Sequence, residues 1–255
     1  MPGLDRIRSV IITLLSQFLY SHIVVVMDRD LISVVTTCSR GKGCIAKRHI
    51  KKGQCLVRED AIALFKFNSA VSSPAGVVTL AANSDIRNVS HLCAQLLLAI
   101  DGGKLSVDDI YDRFCRPTDD MLRSTGSTVT GTHAYIDSCA RSALAIHEHR
   151  RQQQRLGNAA AAASCITLDL CIGLMYRICC NVFTVALNNT NGDDAVAIGM
   201  YPDAALLNHC CCPNTVQSFR QTNSGFGYQI QIRANRDIFA GEELYISYLD
   251  IGEFN

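Results

Sequence analysis

The chain has no tryptophan, only 5 prolines, 7 % aromatic residues and 18 % charged residues. It has no G-x-x-x-x-G-K-[ST] stretch. Gly41-Lys42-Gly43 is followed by neither a third spaced glycine nor an opening helix, so neither common phosphate-binding loop is supported and a hairpin turn is the plain reading. An excess of one charge is also missing. The 24 Lys and Arg stand against 23 Asp and Glu, and a net charge of +1 predicts no general attraction to nucleic acid or acidic lipid. Among 13 cysteines there is no C-x-x-C pair, and Cys179-Cys180 and Cys210-Cys211-Cys212 are contiguous. An odd count with adjacent cysteines argues against a secreted disulfide framework. Most of these thiols read as small apolar residues in a reducing, intracellular compartment.

What is present describes a globular chain. Hydrophobic residues make up 48 % of 255, enough for one large domain or two small ones with a real core. An apolar run from Val10 to Met27 follows Arg6 and Arg8, and is interrupted by Gln17, Ser21 and His22. A spanning helix wants about 20 mostly apolar residues. Residues 6–27 therefore leave three readings open: a targeting signal, a membrane anchor, or a packed extension in which Ile23-Val24-Val25-Val26 forms a strand.

Further along, Leu31 to Thr37 is β-branched and reads as a strand. It is followed by a turn at Arg40–Gly43, a short strand at Cys44–Ala46, a turn at Ile50–Gln54 and a strand at Cys55–Arg58. Ser69 to Gly76 is loop-like. Val89, Leu92, Cys93, Leu96, Leu97 and Ile100 then form one apolar helical face that ends at Asp101-Gly102-Gly103. Further helices are predicted over Val107–Phe114 and His133–Leu156, and over Ala159–Cys180 with Asn158 as cap. Strand signals return at Asn181–Val185, Val196–Ile198, Tyr228–Ala234 and Leu244–Tyr248. Strands, a helical block and strands again describe an α+β fold rather than a doubly wound sheet.

Three clusters invite a chemical reading. His147-Glu148-His149 places its two histidines on different helix faces, beside Arg155 and a glutamine run, and reads as a solvated helix end rather than a metal site. Cys210-Cys211-Cys212 offers thiolates, but no second cluster of Cys and His completes a four-ligand zinc site. Asn208 and His209 carry both donors and acceptors and sit between the apolar run Ala204–Leu207 and Pro213. They suit either a satisfied polar turn or the reading of a small polar ligand.

Several ordered motifs resemble one family. Arg40-Gly41-Lys42-Gly43 and Ile50-Lys51-Lys52-Gly53 look like the R-G-x-G opening and I-x-x-G turn of SET-domain protein lysine methyltransferases. Leu207-Asn208-His209-Cys210-Cys211-Cys212-Pro213-Asn214 and Gly241-Glu242-Glu243-Leu244 with Tyr248 look like their N-H-S-C-x-P-N and G-E-E-L-x-x-x-Y signatures. Asn181–Val185, Gly199-Met200-Tyr201-Pro202, Leu206–His209, Ala234–Ile238 and Tyr248-Leu249-Asp250 are similar to stretches of the SET and MYND-domain (SMYD) subfamily. The likeness runs from about Leu31 to Asp250, loosely through the helices.

The resemblance implies a β-rich SET fold with short curved sheets, a knot-like C-terminal segment and an inserted helical block. It divides the chain into an extension (1–26), the first part of the SET domain (27–68), the helical insert (69–180) and the second part (181–255). It also implies transfer of a methyl group from S-adenosylmethionine to lysine side chains of a protein substrate; the cysteines place this in the cytoplasm or nucleus, and the balanced charge predicts no direct nucleic-acid contact. Arg40, Gly41 and Lys42 would lie along the methionine part of the cofactor, Asn181, Asn208 and His209 would hold its remaining groups, and Tyr248 would stand at the transfer centre. The chain departs from the pattern in four ways. No cysteine of a MYND finger lies between Phe67 and Ser90, Cys210 replaces the expected serine, the sequence given stops at Asn255 before a cysteine-rich post-SET segment, and the extension has no family counterpart. With Cys211 the only family-matched ligand, no zinc is expected. The missing segment also leaves a catalytically impaired, SET-like binding module as the alternative.

Overall fold

The computed structural model describes residues 25–37, 41–67, 84–116, 129–155, 166–189, 192–223 and 225–248. The apolar run up to residue 24, Arg40, the loop from Ser69 to Gly76, Asn158 and the alanine run after it lie outside the described residues. The chain divides into two units, one made of residues up to Ile62 together with those from Leu207 onward, the other of Ala63–Leu206.

The first unit is built from strands. β1 (Val25–Met27), β4 (Cys55–Asp60), β9 (Thr215–Gln221) and β10 (Tyr228–Ala234) form one sheet in the order β1-β4-β10-β9, with all neighbours antiparallel. β2 (Ile32–Thr37), β3 (Gly41–Ala46), β8 (Asn208–His209) and β11 (Glu243–Ile246) form a second in the order β2-β3-β11-β8. Alternation along β4 and β10 turns Val57, Ile230 and Ile232 to one face, where all three are fully buried. Gly53, at φ 85°, and Gly241, at φ 87°, occupy the left-handed region at the two turns where the backbone reverses, which explains glycine at both.

The second unit joins a small sheet to helices. β5 (Ala63–Lys66), β6 (Val182–Asn189) and β7 (Gly192–Met200) pair antiparallel in the order β5-β7-β6. The helices are α1 (Ser84–Asp101), α2 (Val107–Arg113), α3 (Val129–Arg155) and α4 (Leu168–Asn181), with α1, α3 and α4 packed on one another. Gln95 of α1 closes on β5 with both ends of its amide, donating to the Leu64 carbonyl and accepting the Leu64 N–H, each at 2.9 Å. That pairing satisfies backbone groups on the edge of the sheet.

Local chemistry explains where the elements differ from expectation. The helix that ends the block begins at Leu168, and the start expected at Ala159 lies outside the described residues. Thr167 is its extended N-cap, accepting the Leu170 N–H at 3.2 Å, while Asp169 lies in the first turn. Asn181 closes α4 instead of opening a strand, because its side chain donates to the Arg177 carbonyl one turn back. His147 is not at a solvated helix end. Ile136, Cys139, Ala140, Ala143, Ile146 and His147 share the inward face of α3, and His147 is 1 % exposed. β5 and β9 had no clear sequence signal. β5 is only four residues long, and β9 (T-V-Q-S-F-R-Q) carries too few apolar residues to show alternation.

Candidate functional site

The two-residue strand β8 decides where the polar residues late in the chain meet. Asn208 and His209 lie parallel to β11, opposite Tyr245 and Ile246, while the other edge of β11 pairs antiparallel with β3. The last strand is thus inserted between two earlier ones. This brings Lys42, Asn208, His209, Glu243 and Tyr248 into one neighbourhood within the first unit.

Asn208 is half-buried and donates both amide hydrogens inward, to the Lys42 carbonyl at 3.3 Å and to Glu243 Oε1 at 2.8 Å. Both partners only accept, so the amide can sit only one way round. Its Oδ1 is left as an acceptor with no partner among the described residues. The second oxygen of Glu243 accepts the Tyr245 hydroxyl at 2.7 Å, which holds that carboxylate in place.

Asn214 supports the arrangement from beneath. It is 3 % exposed, donates to the Glu243 carbonyl at 2.8 Å and accepts the Tyr245 N–H at 2.8 Å. Its side-chain amide therefore acts as an extra strand residue along β11. Thr215 adds a hydroxyl bond to the Tyr245 carbonyl at 2.7 Å. The signal for Asn214 was its place at the end of the N-H-C-C-C-P-N stretch. That its amide would clamp β11 follows only from the fold.

His209 and Tyr248 are joined two ways, and the Tyr248 hydroxyl is tied separately to Leu207. The Tyr248 N–H donates to His209 Nδ1 at 3.0 Å, their ring centroids are 5.3 Å apart at 39°, and the phenol donates to the Leu207 carbonyl at 2.8 Å. A backbone N–H cannot accept, so Nδ1 carries a lone pair and the neutral imidazole bears its hydrogen on Nε2. Nε2 lies 3.4 Å from Cys211 Sγ. The Tyr248 side chain is anchored at its hydroxyl yet 57 % exposed.

The remaining expected residues divide. Gly41 opens β3 at φ 75° and Lys42 is half-buried beside it, with its carbonyl on Asn208. Arg40 lies outside the described residues. Asn181 belongs to the second unit, where its amide donates to the Cys115 and Arg177 carbonyls at 2.9 and 2.7 Å. Cys211 and Cys212 are exposed, and among the described residues no group of three or more His, Cys, Asp or Glu is placed to hold a metal ion. Of the paired glutamates, Glu243 faces Asn208. Glu242 is half-buried on the turn, where Arg236 at 2.7 Å and then the Phe239 N–H hold its carboxyl below the ordinary range.

A family model described as SET domain matches residues 41–249. The chain belongs to the SET-domain family. Its α+β architecture of short sheets with a block of helices is the SET fold expected from the motifs. N-lysine methyltransferase SMYD2-B of Danio rerio is 36 % identical over 78 residues, which are 31 % of this chain and 16 % of that protein. Histone-lysine N-methyltransferase SMYD3 of Mus musculus is 41 % identical over 75 residues, 29 % of this chain and 15 % of that protein. The likeness to SMYD proteins therefore holds over a partial region, and the match spans a small fraction of the length of these curated relatives. Among solved structures, the SET domain of LSMT bound to lysine and AdoHcy aligns over 88 % of this chain and 51 % of that one. The identity is 15 % and the TM-score 0.44. No helix among the described residues of this SET protein is long and apolar enough to cross a membrane.

Proposed function

We propose that this chain carries an S-adenosylmethionine-dependent protein-lysine methyltransferase centre, with Asn208, His209, Gly41 and Lys42 as cofactor contacts and Tyr248 as the catalytic residue. One observation carries the reading: Asn208, His209 and Tyr248 meet where β8 bridges β11, each held by hydrogen bonds inside the same unit. Relatives named as lysine methyltransferases support it. Arg40 and Asn181 enter as cofactor contacts through the family motifs alone.

The donor set suits the cofactor. Asn208 directs an acceptor oxygen outward because its hydrogens are used inward, and this matches an amino or ammonium group, of which S-adenosylmethionine has two. When bound, the cofactor supplies a methyl group on a positive sulfonium, which a neutral lysine amine takes in line. The residues of the chain set the alignment. The Tyr248 hydroxyl is held on the Leu207 carbonyl and its ring lies beside His209, so its phenol oxygen offers a placed acceptor for one amine N–H. No zinc ligand takes part in this mechanism. The partner is a protein presenting a target lysine, and the contiguous cysteines fit an intracellular, cytoplasmic or nuclear, setting.

The test is calorimetry with S-adenosylmethionine followed by methyl transfer to mixed protein substrates. Tyr248→Phe is expected to lower turnover about 100-fold while cofactor affinity stays within about twofold, since only the phenol's alignment is lost. Binding without any transfer in the parent protein would move the chain to the binding-module reading. Absence of cofactor binding would remove both readings.

A further inference from the structure

The net charge of +1 conceals an uneven distribution. From Gly41 to Arg58 the sequence contains no Asp or Glu, and five of the six residues in Lys47-Arg48-His49-Ile50-Lys51-Lys52 are basic or histidine. This stretch joins β3 to β4, and Lys47, Arg48, His49, Lys51 and Lys52 are all exposed while Ile50 is fully buried. The turn is held against residues 234–238 by backbone bonds. Ile50 and Ile238 exchange N–H and carbonyl at 2.9 Å each way, Gly53 donates to the Ala234 carbonyl at 2.8 Å, and the Lys52 N–H donates to Asp237 at 2.8 Å. Arg233 donates to the Gly53 carbonyl at 3.2 Å, so its guanidinium lies at the same edge.

The acids nearby are already engaged. Glu242 is paired with Arg236 at 2.7 Å, and Asp237 accepts the Lys52 N–H and lies 3.7 Å from His49. Lys47 donates to the Arg29 carbonyl at 2.9 Å, and among the described residues none of Lys47, Arg48, Lys51 and Lys52 has a carboxylate partner. Beside these cations stands Phe239, 67 % exposed, with its ring centroid 5.7 Å from that of His49.

We propose that this face, Lys47, Arg48, Lys51, Lys52 and Arg233 around the His49–Phe239 ring pair, binds single-stranded nucleic acid. The cations would track phosphates, and Phe239 would offer a stacking surface for one base. An exposed ring beside a basic track is the minimal composition of a sequence-tolerant single-strand site, since every base has a π face. An acidic membrane fits less well. Of the two segments only Phe239 is a large exposed apolar side chain, and a myristoyl chain, with more apolar area than one ring, binds bilayers only marginally. The proposal does not depend on the methyl-transfer reading.

Fluorescence anisotropy of the full chain with a labelled mixed-sequence single-stranded 15-mer tests it. With four phosphates neutralised, affinity is expected to fall about 50-fold between 50 and 200 mM KCl. K51E/K52E should abolish most binding and flatten the salt dependence, and K51Q/K52Q should do so by about half, both with an unchanged thermal midpoint. Phe239→Ala should weaken single-strand binding about tenfold and leave duplex binding nearly unaltered. Absence of binding at 50 mM KCl, binding indifferent to salt or to both double substitutions, or preference for phosphatidylserine vesicles over the oligonucleotide would each overturn it.

Discussion

Asn214 in the first unit and His147 in the second are both buried polar side chains, and their surroundings differ. Asn214 has its donor on the Glu243 carbonyl and its acceptor on the Tyr245 N–H, so burial costs it little. His147 has Asp101 3.5 Å from Nε2 but no aligned hydrogen bond at either ring nitrogen. Cysteine exposure does not follow the units, since Cys44 is buried in the first and Cys115, Cys179 and Cys180 are exposed in the second. Cys93 and Cys171 are fully enclosed among helices, and burial pushes their thiols up, that of Cys171 to about 11. Cys211 and Cys212 lie exposed, Cys211 beside His209. The β unit uses polar groups as joints. The helical unit has joints of its own in Gln95 and Asn181, but His147 is buried there without an aligned partner, and its titration therefore carries the penalty of burial.

Substitutions test this contrast, and the largest effect is expected at Asn214. Asn214→Leu strands a carbonyl and an N–H of β11, and should cost about 3 to 4 kcal/mol in denaturant unfolding, with loss of cofactor binding. A cost near zero would mean that β11 is held without its clamp. In the helical unit Leu174→Ala, at a fully buried position of α4, should cost about 3 kcal/mol through the cavity it leaves, with cofactor affinity reported separately by calorimetry.

The next effect is on pH dependence. Burial lowers the His147 pKa below 6.5, outweighing the pull of Asp101, so the unfolded chain binds the proton more readily than the folded one. Stability from this group is complete above pH 6.5 and is lost as pH falls below it. Thermal midpoints should therefore drop more steeply from pH 7 to pH 5 in the parent protein than in His147→Gln. Parallel curves would remove His147 as the cause. The smallest effect concerns thiols. Iodoacetamide at pH 8 should label Cys211 and Cys212 in the native protein without shifting its melting point, and should reach Cys93 and Cys171 only in denaturant, as mass spectrometry can read.

Much of the fold was legible in the sequence. Tyr228–Ala234 is a strand with the expected bounds, and the apolar face of Val89–Ile100 lies within α1. Both signals are periodicities, which one segment carries alone. The elements that were missed needed partners. β9 is defined by pairing with β10 residue for residue, and β8, two residues long, exists only as a bridge to β11. The basic turn at 47–52 was visible as letters but was averaged away by a net charge near zero. Its proximity to Phe239 required the Ile50–Ile238 bridge.

Family membership was written in the order and spacing of short motifs, because a turn glycine or a capping threonine acts through neighbours a few bonds away. The hydrogen-bond assignments at Asn208, His209 and Tyr248 belonged to the tertiary structure. Only when β11 lay between β3 and β8 did Asn208 face the Lys42 carbonyl and Glu243, and His209 face the Tyr248 N–H. A side chain's donors and acceptors are set by its chemistry, but which of them remain available for a ligand is decided by the partners that folding brings within about 3 Å.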